Sequence, residues 1–206
     1  MKRRSVRRSL LAVPLLLLAS CSTTQPTTPG AAPQSRVAVD TPALRAAKKS
    51  AGVEDCAPAR TPAASDGRPD ITLPCLGGGP DVHLAGLRGP MVVNLFAQWC
   101  GPCRSELPYY QELHAKGRGT VKVLGIDYLD TQPAKALQLV DQTGVTYPLV
   151  ADPSGALRRD LRVHGLPGIV LLDRSGRVVD LEYRVFRSYG ELRGLVADKL
   201  HVRLPR

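Results

Sequence analysis

The sequence predicts a mixed α/β domain in which a central mixed sheet is flanked by helices. Three observations indicate this fold class. Short apolar runs alternate with segments of helical periodicity, the last two apolar runs flank the turn sequence RSGR, and one more helical segment follows them. Helix-linked strands that end in a hairpin and a terminal helix favour a layered structure in which helices pack on the sheet.

Apolar runs of six to eight residues are the candidate strands. The run at 90–97, PMVVNLFA, is almost continuously apolar, as expected of a strand that is covered on both faces. The runs at 70–76 and 81–87 flank the turn sequence GGGP. The other runs lie at 121–127, 147–152, 168–173 and 178–184.

Helical periodicity follows several of these runs. A helix is predicted over 103–116, and Pro108 within it predicts a kink. Asp130 or Thr131 is expected to cap the next helix, which has Pro133 near its first position. That helix is expected to end near residue 143, and two further helices are predicted over 155–161 and 189–200.

Residues 1–20 predict a lipoprotein signal peptide. Five Lys or Arg residues lie within 1–8, an apolar stretch of about ten residues follows, and the tripeptide LAS before Cys21 resembles the lipobox of bacterial lipoproteins. We expect lipidation of Cys21 to anchor the chain to the cell membrane on the extracytoplasmic side, where disulfides persist. Ordinary secretory cleavage near the same point, with Cys21 left as a free thiol, is the alternative.

Residues 21–50 predict a flexible tether, because they are rich in Ser, Thr, Pro, Gly and Ala and hold few large apolar side chains. Residues 51–206 are then one domain, long enough to bury a core. The formal net charge is +10, but five of the basic residues lie in the signal peptide. No run of five Lys or Arg residues follows it, which excludes the clustered basic stripe of nucleic-acid-binding proteins.

The tetrad Cys100, Gly101, Pro102 and Cys103 lies where an apolar run gives way to a helical segment. This position puts Cys100 at a helix N-terminus, where unpaired N–H groups and the helix dipole favour a thiolate. Pro102 suits the first helical turn because it has no N–H. Cys103, about one turn further, can attack a mixed disulfide made by Cys100, so the spacing is that of reversible thiol–disulfide exchange.

Other uses of cysteine pairs explain the sequence less well. A four-cysteine zinc site usually contains two CxxC knuckles, whereas Cys56 and Cys75 form no second one. A purely structural bond between the tetrad cysteines would close too short a loop to stabilise much. In an oxidising compartment we expect Cys56 and Cys75 to form a structural disulfide, two unpaired thiols being the alternative. No metal site is predicted, since no metal-ligand spacing occurs among His83, His114, His164 and His201.

Around the tetrad the chain resembles the thioredoxin superfamily, and within it the membrane-anchored TlpA/ResA-like thiol–disulfide oxidoreductases. The matching segments are NLFAQWCGPCRSELP and GLPGIVLLDRSGRV, and the resemblance covers about residues 70–200. It implies a thioredoxin-like fold with an N-terminal β extension, protein thiols or disulfides as substrates, a membrane electron-transfer partner and no bound cofactor. We also expect a monomer. Phe96 departs from many relatives, which have tryptophan there.

The resemblance also implies roles for residues around the cysteines. Pro167 matches the proline that is cis in the family, so the backbone of Leu166 would pair with an extended substrate segment; an ordinary trans turn is the alternative. Trp99 adjoins Cys100, and we expect its fluorescence to report the redox state. Asn94 stands where thioredoxins proper carry a buried acid, and an amide cannot accept a proton at neutral pH.

Glu106 lies three residues beyond Cys103, one helical turn along the same face. The resembling family has an acid at this position. Partial burial would raise the pKa of Glu106 toward the working range of a general base that deprotonates Cys103. The alternative is an ordinary first-turn glutamate that the helix dipole favours.

We therefore expect an exported thiol–disulfide oxidoreductase that acts on protein thiols as a reductant, for example in cytochrome c maturation. The Gly-Pro dipeptide between the cysteines is that of reducing thioredoxins. An oxidant or isomerase for secreted proteins uses the same chemistry and stays open. A thiol peroxidase of the peroxiredoxin type would need Thr or Ser where Ala97 stands. A non-enzymatic binding lipoprotein is a further alternative.

Overall fold

Seven strands and five helices follow one another in the computed structural model, which describes residues 36–58 and 70–206. In chain order they are α1 (Pro42–Ser50), β1 (Thr72–Leu73), β2 (Val82–His83), β3 (Met91–Phe96), α2 (Gly101–Lys116), β4 (Lys122–Tyr128), α3 (Pro133–Gln142), β5 (Leu149–Asp152), α4 (Leu157–Asp160), β6 (Gly168–Leu172), β7 (Val178–Glu182) and α5 (Tyr189–Leu200). Among the described residues, no helix is both long and apolar enough to cross a bilayer.

The central sheet is mixed, as the sequence predicts, with strand order β5-β4-β3-β6-β7. Strands β3, β4 and β5 are parallel, whereas β6 and β7 run antiparallel to their neighbours. All six residues of β3 are buried, which agrees with its continuous apolar sequence. The C-terminal end of β3 leads directly into the cysteine tetrad, so the sheet fixes where the tetrad lies.

The two faces of the sheet are covered differently. Buried side chains of α1, α2, α3 and α5 share one core cluster with residues of the sheet. The crossovers from β3 to β4 and from β4 to β5 continue in one direction across the sheet, so right-handed connections place α2 and α3 on the same face. The hairpin of β1 and β2 and the short helix α4 belong to the core cluster on the other face.

The predicted N-terminal β extension is the antiparallel pair of β1 and β2. It is shorter than the apolar runs suggest, because Leu84–Gly86 form a 3-10 turn instead of continuing β2. All three residues of that turn are buried, and a strand, whose side chains alternate between two faces, would have turned one of them away. Beyond β1, Cys75 bridges to Val150 on β5.

The prediction of a flexible tether over 21–50 is wrong for its last nine residues, which form α1. Thr41 caps this helix by accepting a hydrogen bond from the Leu44 N–H at 3.3 Å, and Pro42 occupies the first turn. Leu44 and Lys48, four residues apart, are both buried on one face. The domain therefore begins before residue 51. Residues 1–35, with the predicted signal peptide and Cys21, lie outside the described residues.

The N-cap of helix α3 lies one residue after Thr131 and two after Asp130, the two predicted caps. Gln132 is the N-cap residue and makes no side-chain capping bond. Asp130 instead accepts a hydrogen bond from the Gln132 N–H at 2.8 Å, outside the helix. Pro133 occupies the first turn, as predicted, and Pro108 lies inside α2, which continues to Lys116.

Candidate active site

The cysteine tetrad occupies the junction of β3 and α2. Cys100 is the N-cap of α2 and has an extended backbone, and its Sγ accepts a hydrogen bond from the Cys103 N–H at 3.2 Å. The two sulfurs form a disulfide, and both cysteines are less than 5% exposed. A helix N-terminal N–H directed at Sγ stabilises negative charge on that atom, which favours Cys100 as the thiolate after reduction.

The residues around the buried sulfurs are open to solvent. Gly101 and Pro102 are exposed, and nothing lies within 4 Å of the position that a Cβ of Gly101 would take. The side chain of Trp99 is 55% exposed, and its Nε1–H donates a hydrogen bond to the Leu129 carbonyl at 3.2 Å. A partner can therefore contact the tetrad from the side of Trp99, Gly101 and Pro102 without unfolding α2.

Glu106 is buried in the structure. It lies one turn beyond Cys103 on α2 and is 1% exposed. One carboxylate oxygen accepts a hydrogen bond from the Phe186 N–H, and the other has no partner among the described residues. Burial raises the pKa of Glu106 to about 7, although the Phe186 N–H and the charge of Arg184 act in the opposite direction. The carboxyl can therefore exchange a proton near neutral pH.

Asn94 lies on β3 with its side chain buried. Its Nδ2 donates a hydrogen bond to the Tyr147 hydroxyl at 3.0 Å. The amide is thus a fixed polar group within the core rather than a proton acceptor for the cysteines. Glu106 is the buried acid nearest to Cys103 along the chain.

Pro167 lies at the same end of the sheet as the tetrad. The Leu166–Pro167 peptide bond is cis, and Pro167 is buried. The next residue, Gly168, pairs with Leu95 near the C-terminal end of β3. Leu166 is half-buried and packs against both core clusters. The two matching segments of the sequence therefore meet where β3 and β6 pair.

A sequence model of the AhpC/TSA family matches residues 65–181, more than half of the chain. The chain belongs to the AhpC/TSA family. Over 102 residues it is 35% identical to the thiol:disulfide interchange protein CycY of Rhizobium leguminosarum bv. viciae, a match that covers 48% of this chain and 53% of CycY. Over 127 residues it is 35% identical to the thiol:disulfide interchange protein DsbE of Pseudomonas fluorescens biotype C, covering 60% of this chain and 69% of that protein.

Among solved structures, MTB dsbF in its mixed oxidized and reduced forms is similar to this AhpC/TSA chain. The TM-score is 0.56 at 26% identity, and the match covers 63% of this chain and 94% of dsbF. The chain spans about half the length of several curated relatives, 53% for CycY and 45% for DsbE of Escherichia coli K12. These similarities confirm the predicted thioredoxin-superfamily resemblance and the thioredoxin-like fold.

A second buried acid in this AhpC/TSA domain was not predicted from the sequence. Asp127 is fully buried on β4, where it pairs with Phe96 at the end of β3. Burial, followed by the negative charge of Asp130, raises the pKa of Asp127 well above its usual range. Asp130 also accepts a hydrogen bond from the Gln98 N–H at 2.8 Å, which ties the loop after β4 to the loop before the tetrad. The signal in the sequence was the acid that ends the strand-like run VKVLGID.

The remaining predicted disulfide is present in the structure. Cys56 and Cys75 are bonded, their Cα atoms are 6.0 Å apart, and both are buried. Two of the four histidines pair with carboxylates: His83 with Asp70 at 2.7 Å, and His114 with Glu54 at 3.0 Å. Within residues 36–58 and 70–206, no three His, Cys, Asp or Glu side chains are arranged to hold a metal ion.

Proposed function

We propose that this chain is a thiol–disulfide oxidoreductase that acts on protein cysteines through Cys100 and Cys103. The observation that carries the proposal is the geometry of the pair. The Cys100 sulfur accepts a hydrogen bond from the Cys103 N–H at the N-terminus of α2. The buried carboxyl of Glu106 lies one turn further along the same helix. The names of CycY and of the DsbE relatives, thiol:disulfide interchange proteins, support the same chemistry.

In the reducing direction, the Cys100 thiolate attacks one sulfur of a substrate disulfide. A bond forms between Cys100 and the substrate, and the second substrate sulfur leaves as a thiolate. Glu106 then takes the proton of the Cys103 thiol, and the Cys103 thiolate attacks Cys100 Sγ. The substrate leaves with both sulfurs reduced, and two electrons have passed from the cysteine pair to it. Oxidation of a substrate is the reverse sequence.

Substrate would approach over the exposed side of the tetrad. Trp99, Gly101 and Pro102 offer contact area, and the backbone at Leu166 lies just before β6 begins, at the same end of the sheet as the tetrad. An extended segment of a partner protein can pair with exposed backbone in the manner of an added strand. This arrangement favours a polypeptide substrate over a small molecule for the Cys100–Cys103 pair.

We further propose that the chain works outside the cytoplasm as a membrane-tethered monomer. The sequence around Cys21 supports removal of residues 1–20 and lipidation, and residues 22–35 would link the lipid to the folded domain. Electrons would come from a membrane partner, and reduction of protein cysteines, for example in cytochrome c maturation, is the direction that the Gly-Pro dipeptide favours. An oxidant or isomerase role is the alternative.

Reduction of insulin disulfides tests the exchange activity. Wild type should accelerate insulin precipitation in the presence of a dithiol, and Cys100→Ser should abolish the acceleration. The matched control is the double substitution of Cys56 and Cys75 by Ser, which removes the other disulfide and should retain activity if it still folds. Equal rates for wild type and Cys100→Ser would reject the proposed role of the tetrad.

The direction of exchange is tested by the reduction potential of the Cys100–Cys103 pair. Trp99 is the only tryptophan and adjoins Cys100, so its fluorescence provides the signal for a redox titration. A reductant should titrate well below the oxidant range, near the thioredoxin value of about −270 mV, and should be trapped in the reduced form in cells. A couple near about −120 mV, trapped oxidised, would support the oxidant role instead.

A further inference from the structure

A buried lysine touches the second disulfide. Lys48 on α1 is 4% exposed, and its Nζ lies 3.4 Å from Cys75 Sγ. The same ammonium donates to the Gly78 carbonyl at 2.8 Å and pairs with the Asp55 carboxylate at 2.9 Å. A neighbouring lysine is one of the features that favour the thiolate form of a cysteine. Reduction would therefore leave Cys75 with its negative charge already stabilised.

The sulfur of Cys56 lies beside a hydrogen-bond acceptor, whereas that of Cys75 lies beside a donor. Cys56 Sγ lies 3.1 Å from the carbonyl oxygen of Leu149 on β5. A disulfide sulfur carries no hydrogen, but the thiol formed by reduction would have this acceptor in place. The pair is thus provided with a donor at Cys75 and an acceptor at Cys56.

A cleft reaches the surface beside Cys75. Its volume is about 550 Å³, within the range of sites for small molecules. Gly79 lies between the cleft and the disulfide: a Cβ on it would be 3.4 Å from Cys75 Sγ and 3.6 Å from Lys48 Nζ. Cys75 itself is only 1% exposed, so attack on it needs a small displacement of the glycine loop at 77–79.

The charge of the cleft indicates which thiols it would admit. The charged side chains that line it are Arg45, Lys48, Lys49 and Asp55, three cations against one carboxylate. Arg45 also pairs with Asp40 at the rim. With Asp40 counted, three cations face two carboxylates, and the remaining excess of one positive charge attracts an anion and raises the local concentration of an anionic reactant. The volume suits a thiol of tripeptide size or smaller.

We propose that Cys56–Cys75 is a second, reducible disulfide that exchanges with small anionic thiols through this cleft. A thiolate attacks Cys75 Sγ, the Cys56–Cys75 bond breaks with Cys56 as the leaving group, and the Cys56 sulfur takes a proton from solvent and donates a hydrogen bond to the Leu149 carbonyl. A second thiolate attacks the sulfur of the bound thiol. A small-molecule disulfide leaves, and Cys75 remains as a thiolate beside Lys48. Two thiols supply the two electrons, and Cys100 and Cys103 take no part.

The first test compares thiols of similar size and opposite charge. In full-length protein carrying Cys100→Ser and Cys103→Ser, mercaptoacetate and cysteamine are added under native conditions, and alkylated Cys56 and Cys75 are counted by mass. Mercaptoacetate should reduce the disulfide at least about fivefold faster per thiolate, and Arg45→Gln with Lys49→Gln should remove most of that preference. Equal rates, or reduction only after unfolding, would overturn the proposal. The result is independent of the proposed function of the Cys100–Cys103 pair.

The second test addresses Lys48. With Cys56→Ser added to the same background, the rate of Cys75 alkylation is followed against pH by peptide mass. Lys48→Met should shift the midpoint of this profile upward by about one pH unit, a tenfold loss of rate at neutral pH, and Lys48→Arg should restore it. Lys49→Met removes the same charge from the same helix and is the matched control. Identical profiles for Lys48→Met and Lys49→Met would overturn the role of Lys48.

Discussion

The carboxyl of Glu106 on α2 accepts a hydrogen bond from the backbone N–H of Phe186, in the segment between β7 and α5. This contact fixes one carboxylate oxygen and leaves the other without a partner in the described part of the chain. Because a buried carboxyl held by one N–H has its pKa raised only to about 7, it can be either an acid or a base at neutral pH. That property distinguishes Glu106 from an ordinary first-turn glutamate.

Glu106→Gln should slow the step that needs the Cys103 thiolate by roughly ten- to a thousandfold, while attack by Cys100 stays largely intact. Glutamine keeps the size and the hydrogen bond from Phe186 but cannot take a proton. Pre-steady-state exchange, measured as a pH series, separates the two steps. Glu112→Gln, on the same helix but paired with Lys116, is the matched control. Superimposable pH profiles for wild type and Glu106→Gln would indicate that Glu106 has only a structural role.

Glu106 should also make the folded state less stable as pH rises. Its folded pKa of about 7 lies above the ordinary value of 4.5, so the folded state binds the proton more tightly than the unfolded state does. The contribution of Glu106 to the free energy of unfolding is therefore fully present below about pH 4.5. It falls by up to about 3 kcal/mol as pH rises through 7. Urea denaturation at a series of pH values should reveal this slope in wild type and its loss in Glu106→Gln. An unchanged slope in the variant would assign the pH dependence to other groups.

The local parts of this site could be predicted from the sequence, and the long-range parts could not. The tetrad, Glu106 and the start of α2 are contiguous, so helix geometry alone sets their relative positions. The Phe186 N–H lies 80 residues away and carries no side-chain signal. Helix α1 was missed because the Ser- and Pro-rich composition before it masked two buried positions, and their burial depends on contacts with distant parts of the chain.

Asp127→Asn should stabilise the domain at neutral pH. Because burial and Asp130 raise the pKa of Asp127, ionising it costs free energy in the folded state that the unfolded chain does not bear. In wild type, the contribution of Asp127 to folding stability is highest below the ordinary pKa of an aspartate and declines above it. The Asp127→Asn variant has no carboxyl to ionise and should not show this decline. Asp173→Asn is the contrasting variant, because hydrogen bonds from Ser175 and Arg177 lower the pKa of Asp173. Loss of that carboxylate should therefore destabilise the domain. A less stable Asp127→Asn protein at pH 8 would contradict this.

Pro167→Thr should produce longer-lived mixed disulfides with partner proteins. Pro167 is buried at the start of β6 beside the end of β3, and it offers neither an N–H nor an ionisable group to the cysteines. Threonine adds an N–H and a hydroxyl there, which can hold a bound substrate segment and delay its release. Acid trapping and non-reducing gels measure the adducts. Pro90→Thr, at the opposite end of β3, is the control. Equal adduct lifetimes in the two variants would show that Pro167 does not control the release of substrate.

Replacing Cys56 and Cys75 together by Ser should lower the free energy of unfolding by roughly 3 kcal/mol, because the disulfide closes a loop between residues 19 apart and restricts the unfolded chain. The matched control replaces Cys100 and Cys103, which are three residues apart and close almost no loop. Its loss of stability should be much smaller. Urea denaturation of both double variants, without reductant, measures the difference. If the two variants lost the same stability, loop closure would not explain the contribution of the Cys56–Cys75 bond, and its value would have to come from the contacts of the folded state.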